Sequence, residues 1–211
     1  MDAGCHAVKF QLRDMLSLYR SKTLEFKDSD LGVEYTVDLL NKFQLPLEAH
    51  KDLYAYCKQI GIQYLCTPWD IPSVDFLESE FDLPAYKVAS ADFTNISLIE
   101  RLIETDKPLI MSTGMSTLAE IEQVLHILNH GKAKYVLLHC NSTYPLKDED
   151  ANLRCIETLR KRYNCNIIAF INYFCFINTS CKKFFVYIPN CTVQPSMFKK
   201  NYRIRIINRR N

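Results

Sequence analysis

Short apolar runs alternate along the chain with longer segments whose hydrophobic positions recur at helical spacing. The runs at residues 7–11, 62–66, 85–89, 109–112, 135–139 and 166–170 predict strands. The segments at 33–43, 48–60, 71–80, 98–105, 118–130 and 151–163 predict helices. Within 118–130, Leu118, Ile121, Val124, Leu125 and Leu128 share one helical face. Thr117 and Ser97 each precede a glutamate three residues on (Glu120 and Glu100), the capping-box pattern. Gly61 and Gly131 stand where C-terminal caps belong. Residues 13–31 are polar and charged without a period, which predicts a long loop after the first strand.

Helix–strand alternation of this kind is the βα unit of a parallel sheet. No G-x-G-x-x-G follows any strand, so a dinucleotide-binding version loses support. Chemistry-bearing residues end several of the runs rather than one, and parallel folds build sites at the carboxyl ends of their strands. The pattern therefore favours a TIM barrel over an open sheet. A complete barrel takes about 250 residues and eight strands. The expectation is an α/β chain holding part of a (β/α)8 barrel, about six βα units, read as the middle of the barrel.

Composition changes this picture at one end. The chain has 211 residues and a formal net charge of +2, but the charge is unevenly spread. Residues 1–166 carry all 24 acids and 18 of the 26 Lys and Arg, a net of −6, whereas residues 167–211 carry eight basic residues and no acid. The basic charges are scattered among Phe, Ile, Tyr and Asn without a period, which argues against a nucleic-acid-binding arm. The apolar stretch 167–177 is too short to span a bilayer. Nine cysteines form no C-x-x-C pair and no signal peptide precedes them, so a reduced, cytoplasmic setting is expected. Cys57, Cys66, Cys140 and Cys155 lie among apolar residues and are expected to act as small buried hydrophobes.

The candidate chemistry lies at the strand ends. Lys9 sits between apolar neighbours and shares a strand face with Gln11; the bland alternative is a solvated edge lysine. Lys87, between Tyr86 and Val88, is costly to bury unless it meets an anion, and Ser90 follows three residues on. Two such lysines facing one centre would attract a doubly charged group such as a phosphate. Ser112, Thr113 and Gly114 run from a strand end into a helix start, where hydroxyls and free N–H groups can hold an anion; an ordinary capped turn would look the same. Thr67 ends another run, and Asp70 behind it is better placed to cap the next helix. His139, Cys140, Asn141, Ser142, Thr143 and Tyr144 concentrate hydrogen-bonding groups at a further strand end. A single histidine is more often structural than catalytic, and no base stands beside Cys140 to make it a nucleophile.

Taken together, segments 4–11, 50–70, 84–95, 107–117, 137–145 and 149–154 resemble the sialic acid synthase (N-acetylneuraminate synthase) family, over roughly residues 3–168. The resemblance implies a TIM-barrel enzyme that condenses phosphoenolpyruvate with an N-acylmannosamine or its 6-phosphate, releasing phosphate. It implies that Lys9 and Lys87 bind phosphoenolpyruvate. Thr67, Ser90 and Ser112 match its hydroxyl ligands, Ser142 occupies a position where some members carry a ligand-binding Asn, and Tyr144 matches a tyrosine of the same site. It also implies a divalent metal, Mn²⁺ or Mg²⁺, acting as a Lewis acid on the sugar aldehyde, and a homodimer in complete members. No nucleic-acid or membrane partner is expected.

The sequence departs from the family pattern in three respects. The family's first-strand glutamate has no counterpart. Ile171 and Tyr173 stand where a phosphate-binding Ser and a metal-binding His are expected. Neither the family's second metal-binding His nor its antifreeze-like carboxy-terminal domain is expected here. The composition break and the motif break coincide, so residues 1–168 are expected to form the incomplete barrel domain and 169–211 a divergent basic tail that packs poorly. Intron read-through or a frameshift would produce such a tail. The first expectation is a sialic acid synthase-type condensing enzyme whose turnover is impaired in this chain, with no catalytic or metal-binding residue assigned. The alternative is a non-catalytic barrel fragment that binds an anionic metabolite or a full-length subunit. A third option, a phosphate-binding barrel enzyme such as an aldolase, fits the two lysines but not the ordered set of motifs.

Overall fold

A computed structural model describes residues 7–18, 40, 43–141, 150–163, 167–170 and 186–187. The strands are β1 (Ala7–Leu12), β2 (Gln63–Pro68), β3 (Tyr86–Val88), β4 (Leu109–Ser112), β5 (Tyr135–His139), β6 (Ile167–Phe170) and β7 (Val186–Tyr187). The helices are α1 (Met15–Leu18), α2 (Leu47–Gln59), α3 (Ile71–Glu80), α4 (Ile96–Ile103), α5 (Leu118–His130) and α6 (Arg154–Tyr163). All six expected strands are present. So are five of the expected helices; the sixth, at 33–43, lies almost wholly outside the described residues, as do 19–31 of the expected loop. Its start differs from expectation, because Met15–Leu18 makes a helical turn.

The sheet runs β1 to β7 in chain order. β1 to β6 pair parallel, neighbour to neighbour, without a reversal of order. A doubly wound sheet would show a switch point, so this winding is that of a (β/α) barrel. β7 breaks the alternation by pairing antiparallel to β6. The rest of the tail lies outside the described residues, and with it the expectation of poor packing.

Alternation divides the strands into two sides. Tyr64, Cys66, Tyr86, Val88, Met111 and Leu137 join Val74, Leu77, Leu98, Leu102, Val124 and Leu128 of the helices in one buried cluster. The helices therefore cover this side. The opposite side carries Lys9, Gln11, Thr67, Lys87 and Ser112, because Lys9 pairs with Leu65, Gln11 with Thr67, and Lys87 with Ile110. Val136 and Leu138 share that side; they are buried but lie outside the helix-side cluster.

Local signals hold with three corrections. Thr117 caps α5 as a full capping box with Glu120. Along that helix Ile121, Val124, Leu125 and Leu128 are buried, but Leu118 in the first turn is exposed. The cap of α4 is Asn95, whose side chain accepts from the Leu98 N–H, not Ser97. The 3₁₀ turn Ser90–Asp92 brings the chain to its helical start two residues earlier, which puts Ser97 inside the helix. Gly61 has φ +71 and ends α2 as a left-handed residue. Gly131 is the C-cap of α5, as expected, with φ −75, and Lys132 after it takes the positive φ. A side chain at Gly131 would meet Ile103 at 2.8 Å, so glycine is needed there for close packing of α5 on α4. Finally, Cys57, Cys66 and Cys140 are buried as expected, but Cys155 is exposed on the outer face of α6.

Candidate anion-binding site

Lys87 is the centre of the site. It lies in β3 on the side away from the helices and is 5% exposed. Its Nζ donates to the Val88 carbonyl and to Ser112 Oγ, each at 2.6 Å. The first contact is local to β3, whereas the second depends on the in-register pairing of β3 with β4, which sets Val88 opposite Met111 and so carries Ser112 to the level just past Lys87. Among the described residues no carboxylate neutralises it. Burial, with the nearby Lys9 charge adding to it and Cys140 opposing, holds the Lys87 amine down to about 7. A group with this balance is half charged near neutrality and accepts an anion at little desolvation cost.

The other expected residues gather around it. Lys9 stands on the same side of β1, close enough to act on Lys87. Thr67, at the end of β2, is 1% exposed, and its hydroxyl has no hydrogen-bond partner among the described residues. An orphaned buried hydroxyl beside a lysine is an invitation to a ligand oxygen. Ser90 begins the turn after β3; its Oγ accepts from the Gly114 N–H at 3.3 Å and lies 3.2 Å from Cys140 Sγ. Gly114 has no room for a side chain, since a Cβ would fall 2.6 Å from the Cys140 carbonyl oxygen. Ser90, Gly114 and Cys140 thus lock three strand ends together. Ser142 and Tyr144 lie outside the described residues.

Several residues of these motifs are structural. Asp70 accepts from the Ser73 N–H at 2.7 Å and caps α3; its other oxygen accepts from the Asp14 N–H at 2.8 Å, tying the end of β1 to the end of β2. Thr113 donates to the Leu138 carbonyl through both its N–H and its hydroxyl. His139 Nε2 donates to the Ala151 carbonyl at 2.9 Å and so fastens β5 to the segment before α6. At the start of α5, the Thr117 and Glu120 N–H groups are taken by the capping box.

Asp92 was not among the residues expected from sequence. Its carboxylate is half-buried at the same strand ends and Oδ2 has no partner among the described residues. Burial pushes its carboxyl above the usual range, against the pull of Asn95 and Arg13. Gln11 shares the Lys9 face; its Oε1 accepts from Arg13 Nη2 at 2.8 Å, and the Arg13 guanidinium lies 4.1 Å over the Trp69 ring. The signal for Asp92 was present, an acid two residues past Ser90, but its direction depends on the 3₁₀ turn. Among the described residues no group of three or more His, Cys, Asp or Glu gathers as a metal site. His139 is already engaged, so these residues do not fit the divalent metal that the resemblance implies.

The profile of the NeuB family matches residues 1–169. The chain belongs to the NeuB family. It is similar to the N,N'-diacetyllegionaminic acid synthase of Campylobacter jejuni, 32% identical over 172 residues, covering 79% of this chain and 51% of that protein. It is similar to the N-acetylneuraminate-9-phosphate synthase of Drosophila melanogaster, 32% identical over 169 residues, covering 76% of this chain and 44% of that protein. The crystal structure of N-acetylneuraminic acid synthetase from Leptospira borgpetersenii, in complex with citrate, superposes with a TM-score of 0.69 at 28% identity, over 82% of this chain and 56% of that one. The chain spans about half the length of the curated relatives it matches. Among the described residues, no helix is long and apolar enough to cross a membrane.

Proposed function

We propose that this chain carries the phosphoenolpyruvate-binding portion of a nonulosonic acid synthase. The condensation joins phosphoenolpyruvate to an N-acylmannosamine or its 6-phosphate. The observation that carries the reading is the buried contact of Lys87 Nζ with Ser112 Oγ on the helix-free side of the sheet. Relatives named as synthases of legionaminic acid and of N-acetylneuraminate 9-phosphate supply the reaction class. In this reading Lys9 and Lys87 neutralise the phosphate and carboxylate of phosphoenolpyruvate. Thr67, Ser90 and Ser112 donate to its oxygens, with Ser142 and Tyr144 completing the shell. Phosphate arrival favours the charged form of Lys87 and draws a proton onto it. Asp92, neutral for longer than an exposed aspartate, supplies a carboxyl at the rim.

In the family a divalent metal supplies Lewis-acid activation of the sugar aldehyde. Because the described residues do not fit one, no step is assigned to it here. Turnover is expected to be low, because Ile171 and Tyr173 stand where the family motif has Ser and His; both lie outside the described residues.

Trp69 is the only tryptophan of the chain and sits at the end of β2, so its fluorescence reports on the site. The test titrates phosphoenolpyruvate into the chain, then adds N-acetylmannosamine or its 6-phosphate with Mn²⁺ and measures phosphate release. Saturable binding lost in Lys87→Met supports the reading. Absence of binding in a folded chain would remove it. Binding without turnover favours a non-catalytic anion-binding barrel fragment, and rapid turnover refutes the impairment.

A further inference from the structure

The hydrogen bonds of Lys87 specify more than a charge. An ammonium group has three donors and no acceptor, whereas a neutral amine has two donors and one lone pair. Among the described residues Lys87 Nζ has two acceptors, the Val88 carbonyl and Ser112 Oγ, both at 2.6 Å, and no carboxylate. Two donors suffice for these two contacts, so the neutral amine satisfies both and keeps its lone pair for a reacting carbon. Lysines become nucleophiles when they are desolvated or set beside a second cation. Lys87 meets both conditions, being buried and facing Lys9. The same Lys9 ammonium would attract the carboxylate of an incoming small acid, and the orphaned Thr67 hydroxyl offers it a donor.

We infer that Lys87 is a carbonyl-reactive amine that forms an imine with small 2-oxo acids in the empty site. The lone pair of Nζ attacks the 2-oxo carbon, a C–N bond forms, and the carbonyl oxygen leaves as water with both amine hydrogens. The remaining C=N bond is reversible by addition of water. This chemistry uses the site of the preceding proposal but not its reaction; phosphate binding, which protonates the amine, opposes it. Among the described residues the titratable groups acting on Lys87 are Lys9 from β1 and Cys140 from the end of β5.

The test uses the full chain with pyruvate and sodium cyanoborohydride at pH 7, which delivers hydride to the imine carbon and fixes a secondary amine. Peptide mapping then locates the adduct. A lysine of ordinary basicity is only about one part in 2,500 neutral at this pH, so Lys87 is expected to label at least about tenfold faster than any other lysine. The preference should vanish in urea, where Lys87 becomes ordinary, and in Lys87→Arg the fast adduct should be absent. In Lys9→Met the labelling should move to higher pH. Inorganic phosphate should slow labelling of the native chain. Equal labelling of surface lysines and Lys87, or a bare Lys87 in a folded chain, overturns the inference. Phosphoenolpyruvate binding seen by Trp69 fluorescence without a Lys87 adduct overturns the imine while leaving the anion site standing. An adduct without phosphoenolpyruvate binding supports the imine and counts against the synthase reading.

Discussion

The two sides of this sheet are built from the same strands, yet obey different rules. On the helix side, Cys66, Tyr86, Met111 and Leu137 are all fully buried among the apolar residues of the helices. Their one polar excursion there, the Tyr86 hydroxyl, donates to Glu78 at 2.6 Å. On the other side, residues one step along the same strands are Thr67, Lys87 and Ser112, equally buried but polar. Burial alone therefore says nothing about role. The helix side gains stability from apolar area removed from water. The other side holds a desolvated amine, an orphaned hydroxyl and, beyond the strands, the Asp92 carboxylate, none of which favours folding. A side that costs free energy in the empty protein is one that a ligand can complete.

Mutations should separate the two sides. Leu102→Ala, on the helix side and fully buried, is expected to cost about 2–5 kcal/mol in chemical denaturation and to leave phosphoenolpyruvate affinity per folded molecule unchanged. A smaller loss would show that the helix side is loosely packed. Lys87 should instead reveal itself through pH. Its folded value of about 7 lies below the ordinary value of 10.5, so between these limits the unfolded chain holds more protons. Stability from this group therefore rises as pH increases from about 7 toward 10.5, by at most about 1.4 kcal/mol per unit for one proton. Lys87→Met should flatten that slope while abolishing anion binding; an unchanged slope would place the charge elsewhere.

Gly114→Ala tests the lock between the strand ends. Its Cβ would meet the Cys140 backbone, and overpacking of this kind costs about 1–3 kcal/mol. The accompanying shift of the Gly114 N–H should move Ser90 and weaken phosphoenolpyruvate binding, measured by Trp69 fluorescence. Thr117→Ala, which removes a cap on the exposed start of α5, should cost about 1 kcal/mol and leave binding intact. A binding defect in that variant would mean that the start of α5 does reach the ligand.

The strands and helices were legible in the sequence because period and caps are local. Residues 71–80, 109–112, 118–130 and 135–139 emerged with the bounds that the fold shows. Where two local signals competed, only the fold chose. Asn95 and Ser97 are both capable N-caps, and the 3₁₀ turn before them settled on Asn95. Gly131 caps α5 as its position suggested, but only the fold shows that it also lies against Ile103. The site was half legible in the same way. Lys87, Thr67 and Ser112 announce themselves as polar residues ending apolar runs, whereas Asp92 sits past its strand and gives no periodic sign of where it points.

The amino-acid order by itself determined the alternation of elements, the apolar face of each helix and the polar residues at the strand ends, because each depends on neighbours within a turn or two. It also carried the family resemblance. The tertiary structure alone decided that Lys87 meets Ser112, that its charge is depressed, and that the Thr67 hydroxyl has no partner among the described residues. These follow from the register of separate strands, which one residue of slippage would reverse, and from burial, which no single segment can provide.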